Sequence, residues 1–300
     1  MDPELLRIVE RVRKDTVHGA YSVAIDVAGS LLNLMVLQEM PSTLDLVDFC
    51  NETYDVRRSM APLFSVLNTL LLDLDGPETN DAKKHVIFDH LDQFVRRERK
   101  ANEDIAARFD QILSKNKVAT ISNSSAVTAA LIKAGRTRAL EVMVLESLPG
   151  GEGFEMAKAL TAAGIECSVT PDSMAYVAAR WCDVMVCGAD SISKRFVVNK
   201  TGTHALAGAA RHMGVSAFVL ASNSKLVPFD LFDPMEVDGR KEGVPFRSQM
   251  FEGTPLDTFD LLITGTGSYA PSAAAKLISN FKVAGSWRME TSKSDIRGTR

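Results

Sequence analysis

The sequence lacks the glycine-rich turns with which many proteins bind nucleotides. No G-x-G-x-x-G motif lies between the first strand predicted in the C-terminal half and the helix after it, where a dinucleotide-binding turn belongs. No G-x-x-x-x-G-K-[ST] phosphate loop is present either. These absences argue against a nicotinamide-dependent dehydrogenase and against a nucleotide hydrolase.

Cysteine is scarce and positive charge is not in excess. The four cysteines are Cys50, Cys167, Cys182 and Cys187, with no C-x-x-C pair and no histidine at ligand spacing. We therefore expect reduced, mostly buried thiols and no metal site. The net charge of −4 and the absence of a strongly basic face argue against a nucleic-acid partner.

Targeting signals are also lacking by the usual criteria. Residues 1–4 are acidic where a signal peptide would be basic, and we find no apolar run that approaches the length of a membrane span. The sequence therefore predicts a cytoplasmic protein with no membrane partner.

Hydrophobic periodicity divides the chain into two parts. Up to about residue 115, apolar residues recur at three-to-four spacing, which indicates helices, including a long one over residues 81–115. After that, short β-type runs alternate with helical stretches; the runs cover residues 117–121, 141–145, 166–170, 183–187, 216–220 and 260–264. This alternation predicts an α/β fold with a mainly parallel sheet over residues 116–300, after a helical domain over residues 1–115.

A carboxylate and a turn in the second part form the strongest candidate site. Asp190 follows a predicted buried strand and Gly188, at the strand end where open α/β sheets place working groups. Residues 199–204 then lead into an alanine-rich helix. Free N–H groups at this helix start, together with a lysine ammonium, predict a phosphate seat. Its expected contacts are Asn199, Lys200, Gly202 and Thr203.

Polar residues also follow the other predicted strands. The run Ser122, Asn123, Ser124 and Ser125 precedes a helix, so it either caps that helix or holds a second anion or sugar hydroxyls. Glu146 either binds sugar hydroxyls or precedes a Pro-Gly-Gly turn that only ends the strand. Asp172 is more typical of a helix cap. If these two carboxylates and Asp190 converge on one crevice, one acid can be desolvated enough for proton transfer.

The helical part offers weaker candidates. His18 is followed by Gly19 and Ala20, and Arg11 lies one helix earlier. These residues either close over a ligand bound to the second part or are simply exposed.

Several of these motifs together resemble one protein family. They are Gly188-Ala189-Asp190, Asn199-Lys200 with Gly202-Thr203, Glu146-Ser147 followed by Pro149, Phe251-Glu252 with Thr254-Pro255, and His18-Gly19-Ala20. The family joins the regulatory alpha, beta and delta subunits of translation initiation factor 2B to aldose-phosphate isomerases, among them methylthioribose-1-phosphate isomerase and ribose-1,5-bisphosphate isomerase. The similarity covers nearly the whole chain.

The resemblance implies a helical N-terminal domain, a Rossmann-like C-terminal domain, and assembly into dimers or larger rings. It also implies that Asp190 serves the 1,2-proton or hydride shift of a ring-opened sugar, with no cofactor. In the enzymes a cysteine shares this task, and its position matches Ser122. Two further departures are Leu148, where the enzymes have an arginine, and Gly265, where an acidic residue is expected.

Two functions are therefore open. In the first, the chain is an aldose-phosphate isomerase, with Asp190 in proton transfer, Lys200 at the phosphate and residues 122–125 at the sugar. In the second, it is a non-catalytic regulatory subunit that binds a phosphorylated metabolite and works through translation-factor partners. The intact Asp190 and Lys200 motifs favour the first, whereas Ser122 and Leu148 favour the second.

Overall fold

The computed structural model describes residues 1–15, 19–76 and 79–288, and its first part is helical. The helices are α1 (Pro3–Lys14), α2 (Ala20–Leu37), α3 (Thr43–Val56), α4 (Ala61–Leu74) and α5 (Asn80–Ile112). Asp2 begins α1 by accepting the Glu4 N–H at 2.8 Å, and Ser42 begins α3 by accepting the Asp45 N–H at 3.1 Å. Such side-chain acceptors satisfy N–H groups that have no partner inside the helix.

Helix α2 corrects one expectation from the sequence. Its 18 residues have a mean hydropathy of 1.6, so by length and composition it is able to cross a membrane. Seven of its residues, including Val27 and Leu31, are instead buried in the core of the helical part. This packing accounts for part of the apolar composition. Val36 and Leu37 at the end of the helix remain 68% and 80% exposed.

The second part is built on a mostly parallel sheet, which confirms the predicted fold class. Its strands are β1 (Lys117–Ile121), β2 (Glu141–Leu145), β3 (Glu166–Thr170), β4 (Val184–Cys187), β5 (Ser191–Ile192), β6 (Phe196–Lys200), β7 (Ser216–Leu220), β8 (Glu236–Lys241), β9 (Val244–Gln249), β10 (Phe251–Pro255), β11 (Leu261–Ile263) and β12 (Ser268–Tyr269). Seven of them form the main sheet in the order β12-β11-β7-β4-β1-β2-β3, and only the β11–β12 pair is antiparallel. The strand order reverses between β1 and β4, and ligands bind at such a switch point in open α/β sheets.

Helices cover both faces of this sheet. They are α6 (Ser125–Gly135), α7 (Gly153–Ala162), α8 (Ala175–Trp181), α9 (Thr203–His212) and α10 (Pro271–Ser279). One face packs against α8, α9 and α10, and the other packs against α6, α7 and the second half of α5. Helix α5 therefore belongs to both parts and carries side chains of the helical part to the edge of the sheet.

The remaining strands form two small antiparallel sheets. Strands β10, β6 and β5 pair beside the main sheet, with Glu252 of β10 opposite Asn199 of β6. Strands β8 and β9 form a hairpin within residues 229–251, a span whose sequence pattern predicts no particular element. The β6–β10 pairing brings two segments that are far apart in sequence to the start of α9.

The segment after α10 returns to the helical part. Asn68 on α4 binds it with both ends of its amide: Oδ1 accepts from the Ala284 N–H at 3.0 Å and from the Trp287 indole at 2.9 Å, and Nδ2 donates to the Lys282 carbonyl at 2.9 Å. The Trp287 ring stacks on Phe64 with 5.5 Å between the ring centroids. A buried amide with all these partners fixes the segment on the helical core.

Candidate functional site

A cavity of about 210 Å³ lies at the switch point of the sheet. It opens where β1 and β4 end and is closed on one side by the start of α2 and by α5. Its lining comprises Gly19, Ala20, Tyr21, Glu98, Ala101, Asn102, Ser122, Asn123, Ser124, Ser125, Ala126, Ala189, Asp190, Asn199, Leu220, Ala221, Ser222 and Lys225. The volume lies below the roughly 300 Å³ at which pockets for drug-sized ligands begin, so the cavity suits a small ligand.

Asp190 faces the cavity beside a lysine. Its side chain is 41% exposed, and its Oδ1 lies 3.8 Å from Nζ of Lys225. Because protein surrounds the carboxyl on the sides away from the cavity, burial raises its pKa; Lys225 lowers the pKa, Glu152 raises it and Lys200 lowers it. A carboxyl with a raised pKa holds its proton to higher pH and can therefore serve as a proton donor.

The start of α6 presents open N–H groups to the same cavity. Ser124 caps the helix weakly, with its Oγ 3.5 Å from the Val127 N–H. Among the described residues, none accepts a hydrogen bond from the N–H groups of Ser125 and Ala126, although both residues line the cavity. A helix start with open N–H groups attracts anions, and the Lys225 ammonium in the same cavity adds to this. Both interpretations of residues 122–125, cap and anion site, are therefore compatible with the structure.

Ser122 is held in an unusual conformation next to a carboxylate. Its φ is +69°, a region that non-glycine residues rarely occupy. Its N–H donates to Ser147 Oγ at 2.8 Å, and its own Oγ donates to Glu152 at 3.1 Å. Ser122 therefore has a proton acceptor within reach, although the sequence offered no histidine for this role.

Glu152 also forms an ion pair with Lys200, the lysine that we expect from the sequence to bind the phosphate. Lys200 is 1% exposed, and its Nζ lies 3.0 Å from each oxygen of Glu152. Lys200 does not line the cavity. Its ammonium instead pairs with Glu152, because a buried ammonium without a counter-ion would be costly.

The phosphate-binding site that the sequence predicts at the start of α9 is occupied by a carboxylate of the protein. This corrects the expectation from the sequence. Oε1 of Glu252 accepts the N–H groups of Gly202 and His204, both at 2.8 Å. Gly202 has a φ of +103°, which favours glycine, and neither it nor Thr203 lines the cavity. The antiparallel β6–β10 register places Glu252 there, so this carboxylate takes the place expected for a phosphate. Asn199 does line the cavity, with its Nδ2 donating to Thr203 Oγ1 at 3.0 Å.

The other predicted carboxylates do not converge with Asp190. Glu146 is not part of the cavity lining. Asp172 accepts the N–H groups of Ser147 and Leu148 at 2.8 and 2.7 Å, so it anchors the loop after β2. Because Ser147 in turn binds the backbone of Ser122, Asp172 helps to position Ser122 indirectly.

Of the candidate site residues in the helical part, one lines the cavity and one does not. Gly19 lines the cavity, whereas Arg11 is exposed and forms an ion pair with Asp26 at 2.8 Å. His18 lies outside the described residues. Leu148, at the position where the resemblance places an arginine, is 53% exposed.

Three charged residues at or beside the cavity are not among the candidates that the sequence analysis selects. Lys225 follows β7 by five residues, so the strand-end argument that selects Asp190 could have selected it too. Glu152 lies in the loop after β2 and offers no signal beyond its charge. Glu98 sits inside α5, among arginines typical of a solvated helix face, yet it is 5% exposed.

Comparisons with known proteins agree with this architecture. Residues 16–271 match the model of the initiation factor 2 subunit family. The chain is 28% identical over 287 residues to a ribose 1,5-bisphosphate isomerase of Archaeoglobus fulgidus, covering 90% of this chain and 91% of the relative. It is 25% identical over 225 residues to translation initiation factor eIF2B subunit beta of Dictyostelium discoideum, covering 70% of this chain and 58% of the relative.

A solved structure supports the same conclusion. The crystal structure of the translation initiation factor eIF-2B of Pyrococcus horikoshii superposes with a TM-score of 0.76 at 28% identity, covering 90% of this chain and 98% of that one. The family model spans well over half of the chain, and the relatives include both isomerases and initiation-factor subunits. The chain therefore belongs to the initiation factor 2 subunit family.

Proposed function

We propose that the protein binds a small phosphorylated sugar in the cavity and isomerises it from an aldose phosphate to a ketose phosphate. The observation that carries this proposal is the placement of Asp190, with its raised pKa, beside Lys225 and the open start of α6. The phosphate binds Lys225 and the N–H groups of Ser125 and Ala126. This differs from the phosphate seat expected from the sequence, because Glu252 fills that place.

Two side chains of the protein exchange protons with the sugar: Asp190 donates one, and Ser122 accepts one. Asp190 in its acid form gives a proton to the ring oxygen as the bond from C1 to that oxygen breaks. The hydrogen on C2 moves with its bonding electrons to C1. The hydroxyl proton on C2 passes to Ser122 Oγ, whose own proton passes to Glu152, as the C2 carbonyl forms. Solvent returns a proton from Glu152 to Asp190 before the next turnover.

A second function is favoured by one specific residue. Ser122 stands where the resemblance places a cysteine, and a hydroxyl is a much weaker acid than a thiol. In this alternative the cavity binds the sugar phosphate without turning it over, and the chain acts as a regulatory subunit through translation-factor partners. One protein of similar fold is part of a tetrameric eIF2B-beta2-delta2 complex. Assembly of this chain into a homodimer or larger oligomer, and a cytoplasmic location, belong to both proposals.

One experiment separates these functions. The protein is incubated with ribose 1-phosphate, ribose 1,5-bisphosphate and methylthioribose 1-phosphate, and ketose formation is followed by NMR while binding is measured by calorimetry. Turnover of any of them supports the isomerase. Binding without turnover favours the regulatory subunit, and absence of both contradicts the sugar-phosphate site itself.

A further inference from the structure

The β8–β9 hairpin has little packing of its own. Residues 244–247 of β9 are all exposed, and within the described part of the chain β8 pairs with no strand except β9. A two-stranded hairpin is marginally stable by itself in water, and further strands stabilise it. The hairpin therefore offers an edge at which another strand can pair.

The turn of the hairpin determines which backbone groups of β8 face outward. Glu242 and Gly243 form a two-residue loop with φ values of +55° and +80°, so the residues on either side of the loop form a hydrogen-bonded pair. Along an antiparallel ladder such pairs alternate with pairs that are not hydrogen-bonded to each other. At the other end of the hairpin the Met250 N–H donates to the Met235 carbonyl at 3.2 Å, which fits the same alternation.

This alternation leaves one edge of the hairpin open. Asp238 and Arg240 lie opposite Arg247 and Pro245 at the positions that are not hydrogen-bonded, so their backbone groups point away from β9. No described residue accepts a hydrogen bond from their N–H groups. The outer edge of β9 is different, because Pro245 has no N–H to donate. The outer edge of β8 is therefore the better place for a further strand.

The charges on β8 match those of an antiparallel copy of the same strand. Two outward-facing residues must lie opposite each other in such a pairing. With a twofold axis at Gly239, Asp238 of each copy lies opposite Arg240 of the other. An axis at Asp238 or at Arg240 would instead place two like charges opposite each other. Charges on an edge strand usually oppose pairing, but this arrangement attracts a second copy.

The apolar face of the hairpin fits the same axis. The Phe246 ring lies over Gly239, where a Cβ would be only 2.7 Å from a ring carbon. Phe246 is 41% exposed, and Val244 on the same face is 65% exposed. Opposite residues in a pair without mutual hydrogen bonds are about 4.5 Å apart between their Cα atoms. Pairing about Gly239 therefore brings the Phe246 rings of the two copies towards each other and covers apolar surface.

We propose that a second copy of this chain docks on the outer edge of β8, in an antiparallel β8–β8 pairing about Gly239. The two hairpins then form one four-stranded sheet. Both copies use the same surface, so the contact closes as a dimer. The inference does not involve the cavity, and it rests on the proposed function only for the statement that the chain assembles.

The test reverses the two charges one at a time and then combines the variants. Asp238→Arg and Arg240→Asp each place like charges opposite each other at both pairs, so the dimer Kd should rise about tenfold or more, measured by analytical ultracentrifugation. When the two variants are mixed, opposite charges face each other again at both pairs. A heterodimer should therefore form with an affinity close to that of the wild type. Glu103→Lys, an exposed charge reversal on α5, is the control and should leave the Kd unchanged.

Each outcome has a distinct meaning. A wild-type dimer that both variants retain places the interface elsewhere, so the inference fails while assembly stands. A wild type that is monomeric at all concentrations overturns the inference and the proposed assembly, and leaves the sugar-phosphate site untouched. Dissociation of both variants without recovery in the mixture overturns the β8–β8 pairing. The internal pair of Asp238 with Arg247 is exposed at 4.0 Å and adds little stability, and thermal unfolding shows that each variant is folded.

Discussion

The N-termini of α6 and α9 differ in which groups accept hydrogen bonds from their backbone N–H groups. Both helices follow a strand and both begin next to polar residues, so both sequences are typical of anion-binding turns. At α9, Glu252 from a distant strand accepts two N–H groups, whereas at α6 the N–H groups of Ser125 and Ala126 face the cavity. The same local pattern is therefore part of the folded structure at α9 and is open to a ligand at α6. The difference is Glu252, which the fold brings to α9 from a distant strand.

The largest expected effect is on turnover at the cavity beside the start of α6. Asp190→Asn removes the proposed proton donor, so we expect turnover to fall about 10²- to 10⁴-fold with little change in ligand affinity, measured by the NMR assay and calorimetry. Asp257→Asn is the control, because Asp257 is exposed and does not line the cavity. Since the acid form of Asp190 is required and its pKa is raised, wild-type turnover should decline as the pH rises through that pKa. An unchanged rate in Asp190→Asn would remove this residue from the mechanism.

The next effect concerns the ion pair between Glu152 and Lys200. Glu152→Gln leaves the fully buried Lys200 without a counter-ion, so we expect the free energy of unfolding to fall by about 3 kcal/mol, measured by chemical denaturation. Glu155→Gln is the control, because its pair with Lys158 is exposed and should change stability by less than about 1 kcal/mol. Equal stability of the two variants would mean that Lys200 finds another partner.

A smaller effect tests the open helix start directly. Lys225→Met removes the cation beside it, so the affinity for a sugar monophosphate should fall about 10- to 150-fold, as expected for a charged hydrogen bond. Lys194→Met, at an exposed position of the same part, is the control for the lost charge. Undiminished affinity in Lys225→Met would place the phosphate elsewhere and break the contrast between the two helix starts.

The smallest effect concerns the closed helix start. Glu252→Ala removes the acceptor of two N–H groups at α9 and should lower the free energy of unfolding by about 1 kcal/mol, as the loss of a helix cap does. The affinity of the cavity for sugar phosphates should not change. A gain in phosphate binding on this substitution would show that the start of α9 is a latent ligand site after all.

The sequence is informative where the signal is local. Alternating periodicity identifies the strands at residues 117–121 and 141–145, and the strand-end argument selects Ser122 and Asp190, both of which line the cavity. It is not informative where the partner is distant. Nothing near residues 199–204 indicates that Glu252 fills that turn, because the β6–β10 pairing joins segments about fifty residues apart.

The helical part shows the same limit. Glu98 belongs to a charged stretch of α5 that looks solvated when read alone. In the structure it is buried, and Ser222, Ser224 and Lys225 lie close enough to influence its pKa. Lys225 is within reach of local reasoning, since it follows a strand of the sheet, but its role depends on a distance to Asp190 that the sequence does not contain.

The attachment of the last described segment to Asn68 bears on how firmly the two parts of the protein are joined. The polypeptide passes from the helical part to the sheet along α5, and three hydrogen bonds of one amide fix residues 280–288 back on the helical core. Phe229, in the segment after β7, also contacts Phe64 of that core, with 4.9 Å between the ring centroids. Attachments at separate places in the chain oppose a hinge motion about α5 alone, so we expect the walls that carry Glu98 and Asp190 to keep their spacing when the cavity is filled.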